Sequence, residues 1–169
     1  QRELQFVRNY FIANYGKEYA SAIFTKFNTE IKKEQQNLNE LTSLFVQGAR
    51  YETRLQILHF LYGIANADGH IAEVEVQKIL QIAQALQLRF ADIESIKAMF
   101  VESADNAYKI LEISPTATDA EVKKAYREMA KKFHPDKIQS DDPALKKGAQ
   151  EKFQQVQAAY ETIQKERAN

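Results

Sequence analysis

Five glycines and three prolines are spread over 169 residues, and that scarcity limits the fold more than any single motif does. Tight turns draw on glycine and proline for their special backbone angles. A chain with so few has little means of reversing direction every few residues, as sheets require. The apolar positions agree. Leu4, Phe6, Val7, Tyr10, Phe11 and Ile12 recur near helical spacing and stop at Gly16. Tyr19, Ala22, Ile23, Phe27 and Ile31 continue the period in a second helix, which dissolves into the polar stretch KKEQQNLNE. Leu41, Leu44 and Phe45 predict a short third helix. Leu55, Leu58, Phe60, Leu61 and Ile64 predict a fourth, apolar around so much of its circumference that it belongs at the centre. Val74, Val76, Ile79, Leu80, Ile82, Ala83 and Leu86 predict a fifth, and Ile93, Ile96, Met99 and Phe100 a sixth. No stretch sustains an alternation of period two. The expected fold class is all-α.

Composition removes several classes of function. The 23 basic and 23 acidic residues cancel, so no global field points to nucleic acid. The chain has no cysteine, which excludes disulfides, thiolate metal sites and cysteine nucleophiles together. No window approaches the roughly 18 apolar residues of a membrane span, and the N-terminus lacks the pattern of a signal peptide. Because the amphipathic pattern begins at Leu4 without a cap and residue 1 is glutamine, the chain is expected to be a piece of a longer protein.

Charge shifts along the chain. Residues 1–105 carry eleven basic and thirteen acidic side chains; residues 106–169 carry twelve and ten. Tyr108, Leu111 and Ile113 predict a short helix ended by Ser114-Pro115. Thr118 and Glu121 have the spacing of a capping box, opening the helix DAEVKKAYREMAKKF. On that helix Val122, Ala125, Tyr126, Met129, Ala130 and Phe133 share one side, while Lys123, Arg127 and Lys131, with Lys124 at the edge, share the other. A last helix carries Ala149, Phe153, Val156, Tyr160 and Ile163 at alternating intervals of four and three, a seam for antiparallel packing on its predecessor. Between the two lies His134-Pro135-Asp136, followed by Lys137. Proline cannot continue a helix and pushes the residue before it out of helical dihedrals. By turn chemistry alone this is an ordinary interhelical connection.

The pattern as a whole is more specific than the tripeptide. AYKILEISPTATDAEVKKAYREMAKKFHPDK followed by EKFQQVQAAYETI, within residues 105–165, resembles the J-domain of DnaJ-type co-chaperones. The resemblance implies a partner, the ATP-loaded form of a DnaK-type (heat-shock protein 70) chaperone, whose ATP hydrolysis the J-domain accelerates. Carried over by position, it implies docking through Lys123, Tyr126, Arg127 and Lys131 and a trigger at His134, Pro135 and Asp136, with Lys137 beside them. Glu128 stands where many J-domains have a further base, and no convincing fourth helix follows before Asn169. The N-terminal half, through LHFLYGIANADGHIAEVEVQKILQIAQALQL and QFVRNYFIANYGKEYA, resembles TerB-like (tellurite-resistance) helical domains. A TerB-like bundle followed by a J-domain is similar to the membrane-anchored DjlA family. That likeness implies a cytoplasmic location, an inner-membrane tether on a segment outside this chain, and a client or membrane-associated partner for the bundle. The expected domains are residues 1–103, the bundle, and 104–169, a J-domain built on an antiparallel helix pair that folds by itself.

Other chemistry fits less well. NADGHIAEVE places Asp68, Gly69 and Glu75 suitably for a calcium loop, but Ile64 occupies the first ligand position, where an oxygen is required. A capping turn served by Asp68 and Glu73 is the simpler expectation, and the scattered histidines argue against zinc. No metal or other cofactor is expected. An enzyme built on a His134–Asp136 acid–base pair would lack a nucleophile, a phosphate loop and convergent cleft residues. The remaining alternative is a J-like scaffold used for assembly without ATPase stimulation.

Overall fold

The computed structural model describes residues 2–31, 37–137 and 142–168, apart from the side chains at 27, 28, 30, 31, 44 and 45. The expected core positions Phe27, Ile31, Leu44 and Phe45, and residues 32–36 of the polar stretch, lie outside the described residues. The remainder is helical, with no strand among the described residues. The order is α1 (Arg2–Tyr15), α2 (Lys17–Ile31), α3 (Leu38–Gly48), α4 (Tyr51–Ala65), α5 (Glu73–Ala85), α6 (Phe90–Lys97), α7 (Asn106–Ile110), α8 (Asp119–Lys132), a 3-10 turn (Pro135–Lys137) and α9 (Pro143–Ala168).

The sparse glycines do the work expected of them at two turns. Gly16 has φ +83° and donates its N–H to the Ile12 carbonyl at 3.0 Å, closing α1 in a conformation that disfavours a Cβ. Gly69, at φ +86°, turns the chain between α4 and α5. There Asp68 Oδ1 accepts the His70 N–H at 3.2 Å. The cap of α5 differs from expectation: Glu75, not Glu73, accepts the Ala72 N–H at 2.8 Å. The third helical position reaches back to the cap nitrogen, whereas Glu73 accepts instead from Gln77 Nε2 at 2.9 Å. Among the described side chains of α2 the buried one is Ala20, while Tyr19 is 57% exposed and tilts against Tyr15.

Helix α4 is central, as its apolar circumference requires: Leu55, Leu58, Tyr62 and Ala65 are buried. Around it close Val76, Ile79 and Ala83 of α5 and Ile93 and Ile96 of α6. The same apolar cluster runs without a break through Ile110, Leu111, Val122, Ala125, Met129, Phe133, Val156, Ala159 and Ile163. The bundle and the C-terminal helices thus share one core. That residues 104–169 fold by themselves remains a proposal, based on the seam between α8 and α9.

Polar contacts register the two halves. Asp142 caps α9, accepting from the Ala144 and Leu145 N–H groups at 2.8 and 3.1 Å, with Pro143 at the first helical position. The Tyr15 hydroxyl of α1 donates to that carboxylate, 2.7–2.8 Å from its oxygens. The Tyr10 hydroxyl reaches the Ala144 carbonyl at 3.1 Å, Gln56 Nε2 the Leu145 carbonyl at 3.2 Å, and Ser95 Oγ the Ile110 carbonyl at 2.8 Å. Gly148 lets α9 lie close on α4, since a Cβ there would stand 2.6 Å from Gln56 Oε1.

The close approach can be measured. Alanine raises helix propensity over glycine by about 1 kcal/mol, but overpacking a buried contact costs about 1–3 kcal/mol. Gly148→Ala should therefore lower stability in urea unfolding, and adding Gln56→Ala should cost less in that background than in the wild type. Strictly additive losses would mean that the two positions do not touch.

Candidate functional site

The surface begins with the cap of α8. Thr118 Oγ1 accepts the Glu121 N–H at 3.3 Å, and Glu121 Oε2 accepts the Thr118 N–H at 2.7 Å. These reciprocal bonds start the helix where its spacing implied and fix its rotation. Val122, Ala125, Met129 and Phe133 are buried, so Lys123, Lys124, Arg127 and Lys131 are turned to solvent. Lys124 faces Glu128 at 3.9 Å, an exposed pair of little energetic weight. Tyr126 is half-buried, its ring stacked on Tyr160 of α9 with centroids 4.3 Å apart. One of its faces is therefore committed to the seam.

The turn after α8 is held by its own atoms. The Phe133 N–H donates to the Met129 carbonyl at 2.9 Å, the last bond of the helix, and the Lys137 N–H to the His134 carbonyl at 2.9 Å. His134 Nδ1 accepts the Asp136 N–H at 3.3 Å. The His134 ring meets Phe153 edge-on at 5.5 Å. The Asp136 carboxylate extends into solvent, 92% exposed, 3.6 Å from His134 Nδ1. His134, Asp136 and Lys137 line one open depression with Ala130, Lys131 and Phe153. The structure thus gathers Lys131, His134, Pro135, Asp136 and Lys137 at one end, with Arg127 and Lys123 one and two turns back along the same face.

Three features lay beyond the sequence reading. Lys132, one of five bases on α8, leaves the exposed face and pairs with Asp92 of α6 and, at 2.5 Å, with Glu112. Asp92 is fully buried and also receives the Tyr51 hydroxyl at 2.5 Å and Arg89 Nε at 2.8 Å. Burial pushes its carboxyl up, but the bonds from Arg89, Lys132 and Tyr51 outweigh that and hold it below the ordinary value. In sequence Asp92 reads as a helix-start acid, and nothing local couples it to Lys132 forty residues on.

Lys152 of α9 is the third. It is 1% exposed, with Nζ 5.3 Å from the centre of the Phe133 ring. With Phe133, His134, Leu55 and Gln56 it lines a void beneath the His-Pro-Asp turn. Burial pushes its ammonium down to about 7, opposed by the charges of Asp92 and Glu151. Burial, reinforced by Lys152, likewise lowers His59 to about 3.

Residues 1–98 match the family described as tellurite resistance protein TerB, and residues 106–169 match the family described as DnaJ domain. The chain belongs to the TerB family and carries a DnaJ domain at its C-terminal end. It is similar to the co-chaperone protein DjlA of Coxiella burnetii, 29% identical over 162 residues, covering 83% of this chain and 60% of that protein. DjlA of Vibrio parahaemolyticus is 29% identical over 141 residues, 75% of this chain and 48% of that one. The chaperone protein DnaJ of Erysipelothrix rhusiopathiae is 55% identical over 56 residues, 33% of this chain and 14% of that protein. The chain therefore spans 60% or less of the length of these relatives. No solved structure matches it significantly.

Lys152 makes a pH test possible. Its folded pKa lies below the unfolded value, so the cost of burying the charge is full below pH 7 and disappears as pH rises from about 7 to about 10.4. Lys152→Met should stabilise the chain by a few kcal/mol at pH 6 and by much less at pH 9. An equal effect on unfolding at both pH values would contradict this placement of the ammonium.

Proposed function

We propose that this chain is a co-chaperone that docks on the ATP-loaded form of a DnaK-type (heat-shock protein 70) chaperone and stimulates its ATP hydrolysis. The observation that carries the reading is an intact His134-Pro135-Asp136 held in a self-bonded, exposed turn at the end of a basic helix face. Lys123, Arg127 and Lys131 offer positive charge to an acidic partner surface, which speeds encounter and sets register. Tyr126 contributes its free edge beside them. The turn then supplies contacts that differ between the partner's two states, the only way a ligand can shift its partner's equilibrium. Because its backbone bonds are satisfied internally, His134 and the Asp136 carboxylate reach the partner with little ordering cost. Pro135 and Lys137 hold and flank the turn.

The bundle, in this reading, supplies interaction specificity toward a client or membrane-associated protein. Among the described residues no helix is long and apolar enough to cross a membrane. The proposed location is the cytoplasm, with any inner-membrane tether outside these residues. The DjlA relatives, named as co-chaperones and matching both segments, support the reading. The scaffold alternative, a J-domain used for assembly alone, has the intact tripeptide against it.

A single-turnover ATPase assay with a DnaK-type chaperone tests the proposal. His134→Gln and Asp136→Asn alter exposed positions, where substitutions usually cost within about 0.5 kcal/mol of stability. Both should keep the wild-type melting temperature and abolish stimulation. Lys123→Glu with Arg127→Glu should weaken binding instead, and wild-type affinity should fall as salt rises, since exposed charges are screened over ~8 Å at physiological ionic strength. Full stimulation by the folded tripeptide variants would leave the motif a turn and overturn the co-chaperone reading.

A further inference from the structure

A cavity of about 600 Å³ opens where α1, α4 and α9 meet, on the seam between the bundle and the C-terminal helices. Ligand sites run from roughly 300 to 1,000 Å³ and favour such boundaries, yet volume alone assigns nothing. The polar side chains around it say more. The Tyr10 hydroxyl is engaged by the Ala144 carbonyl, and Gln56 Nε2 by the Leu145 carbonyl. His59, one turn along α4 from Gln56, lines the cavity with only 8% of its surface exposed. Its ring meets the Phe100 ring with centroids 4.8 Å apart, and neither nitrogen has a hydrogen bond among the described residues. Nor are these nitrogens sealed in the interior, as the Tyr62 hydroxyl is. They open on the cavity.

A buried polar side chain nearly always has a partner, so one left without at a cavity wall points to a ligand that supplies it. The walls narrow the chemistry. Tyr10 and Phe60 stand with ring centroids 4.5 Å apart, and Phe6 lies 6.4 Å from Phe60, a lining that suits water poorly and another ring well. The cavity's formal charges, Lys147 and Glu151 on α9, are 4.0 Å apart and offset each other. A charged ligand would shed its hydration there without a counter-charge. Burial, with Lys152 adding to it, holds His59 neutral at a pKa of about 3, so its ring offers one N–H donor and one bare acceptor nitrogen. A hydroxyl both donates and accepts, and serves whichever nitrogen it meets.

We infer that this cavity binds a small uncharged aromatic alcohol, a phenol whose ring lies among Phe6, Tyr10 and Phe60 and whose hydroxyl bonds the His59 imidazole. The inference stands apart from the co-chaperone reading. Because the walls come from α1, α4 and α9, the bound molecule bridges the bundle and the last helix of the C-terminal half. A ligand held only by the folded chain stabilises that seam by mass action.

The test is a fluorescence titration of the whole chain with β-naphthol at neutral pH, beside naphthalene, which lacks the hydroxyl, and β-naphthoate, which carries a charge. β-Naphthol should saturate one site, raise the melting temperature, and bind more tightly than either control. His59→Phe keeps a ring and removes both nitrogens. It should weaken β-naphthol by about fivefold, the loss of one hydrogen bond, while naphthalene stays within twofold, a difference that a merely structural role for His59 would not produce. Gly63→Leu is the second variant: a Cβ there already stands 3.4 Å from the Phe6 ring, so the longer side chain should fill the cavity and exclude both molecules. Absence of β-naphthol binding by the wild type would overturn the inference. So would β-naphthol affinity unchanged in both variants, which would place the molecule elsewhere, or equal binding of β-naphthoate, which would make the cavity an anion site.

Discussion

One buried carboxylate ties the two halves of this protein together. Asp92 receives the hydroxyl of Tyr51 from α4, the guanidinium of Arg89 at the start of α6 and the ammonium of Lys132 from α8. Taking an ion pair out of water is expensive, and removing one partner of such a pair typically costs about 3–5 kcal/mol because the other charge is left stranded. The arrangement is therefore a weak source of net stability and a strong source of register. Lys132 lies one residue before Phe133 and two before His134, so fixing its head group fixes the end of the helix that carries the exposed turn. Glu112, 2.5 Å from the same ammonium, holds it a second time from within the C-terminal half, between α7 and α8.

The other contacts across the seam follow from this register. Gly148 permits α9 to approach Gln56, whose amide then reaches the Leu145 carbonyl. The hydroxyls of Tyr10 and Tyr15 settle on the first turn of α9 and its cap. Lys152 is drawn into the interior beside Phe133, where burial works against its charge. A seam containing a buried carboxylate, a buried lysine and a buried glutamine is not the loose linker of two independent modules. It presents the basic face and the His-Pro-Asp turn in one orientation relative to the bundle.

Much of this was legible in the sequence, and the reason is locality. The all-α class followed from scarce turn formers and 3.6-residue periodicity. The Thr118–Glu121 cap, the Gly16 terminus and the two faces of α8 each depend on residues within one or two turns of each other. What escaped depends on distance along the chain. Lys132 lies beside the basic face of α8, and Asp92 lies in the first turn of α6. Their pairing joins residues forty positions apart in the sequence, and neither carries a local sign of it. Lys152 lies between the apolar seam positions Ala149, Val156 and Phe153, where a lysine normally snorkels to solvent; the bundle covers that route. Even the α5 cap, assigned to Glu73 and made by Glu75, turned on which of two nearby acids reaches back to the same N–H.

The most direct test of this account is nitrogen-15 relaxation on the whole chain at low ionic strength, with rotational correlation times fitted separately for residues 51–97 and 119–165. A carboxylate-registered seam over a shared core requires both segments to tumble as one body, with a single correlation time and a common diffusion tensor. Two distinct correlation times, the shorter belonging to the C-terminal segment, would show the J-domain moving freely of the bundle and would contradict the fixed presentation of its His-Pro-Asp turn.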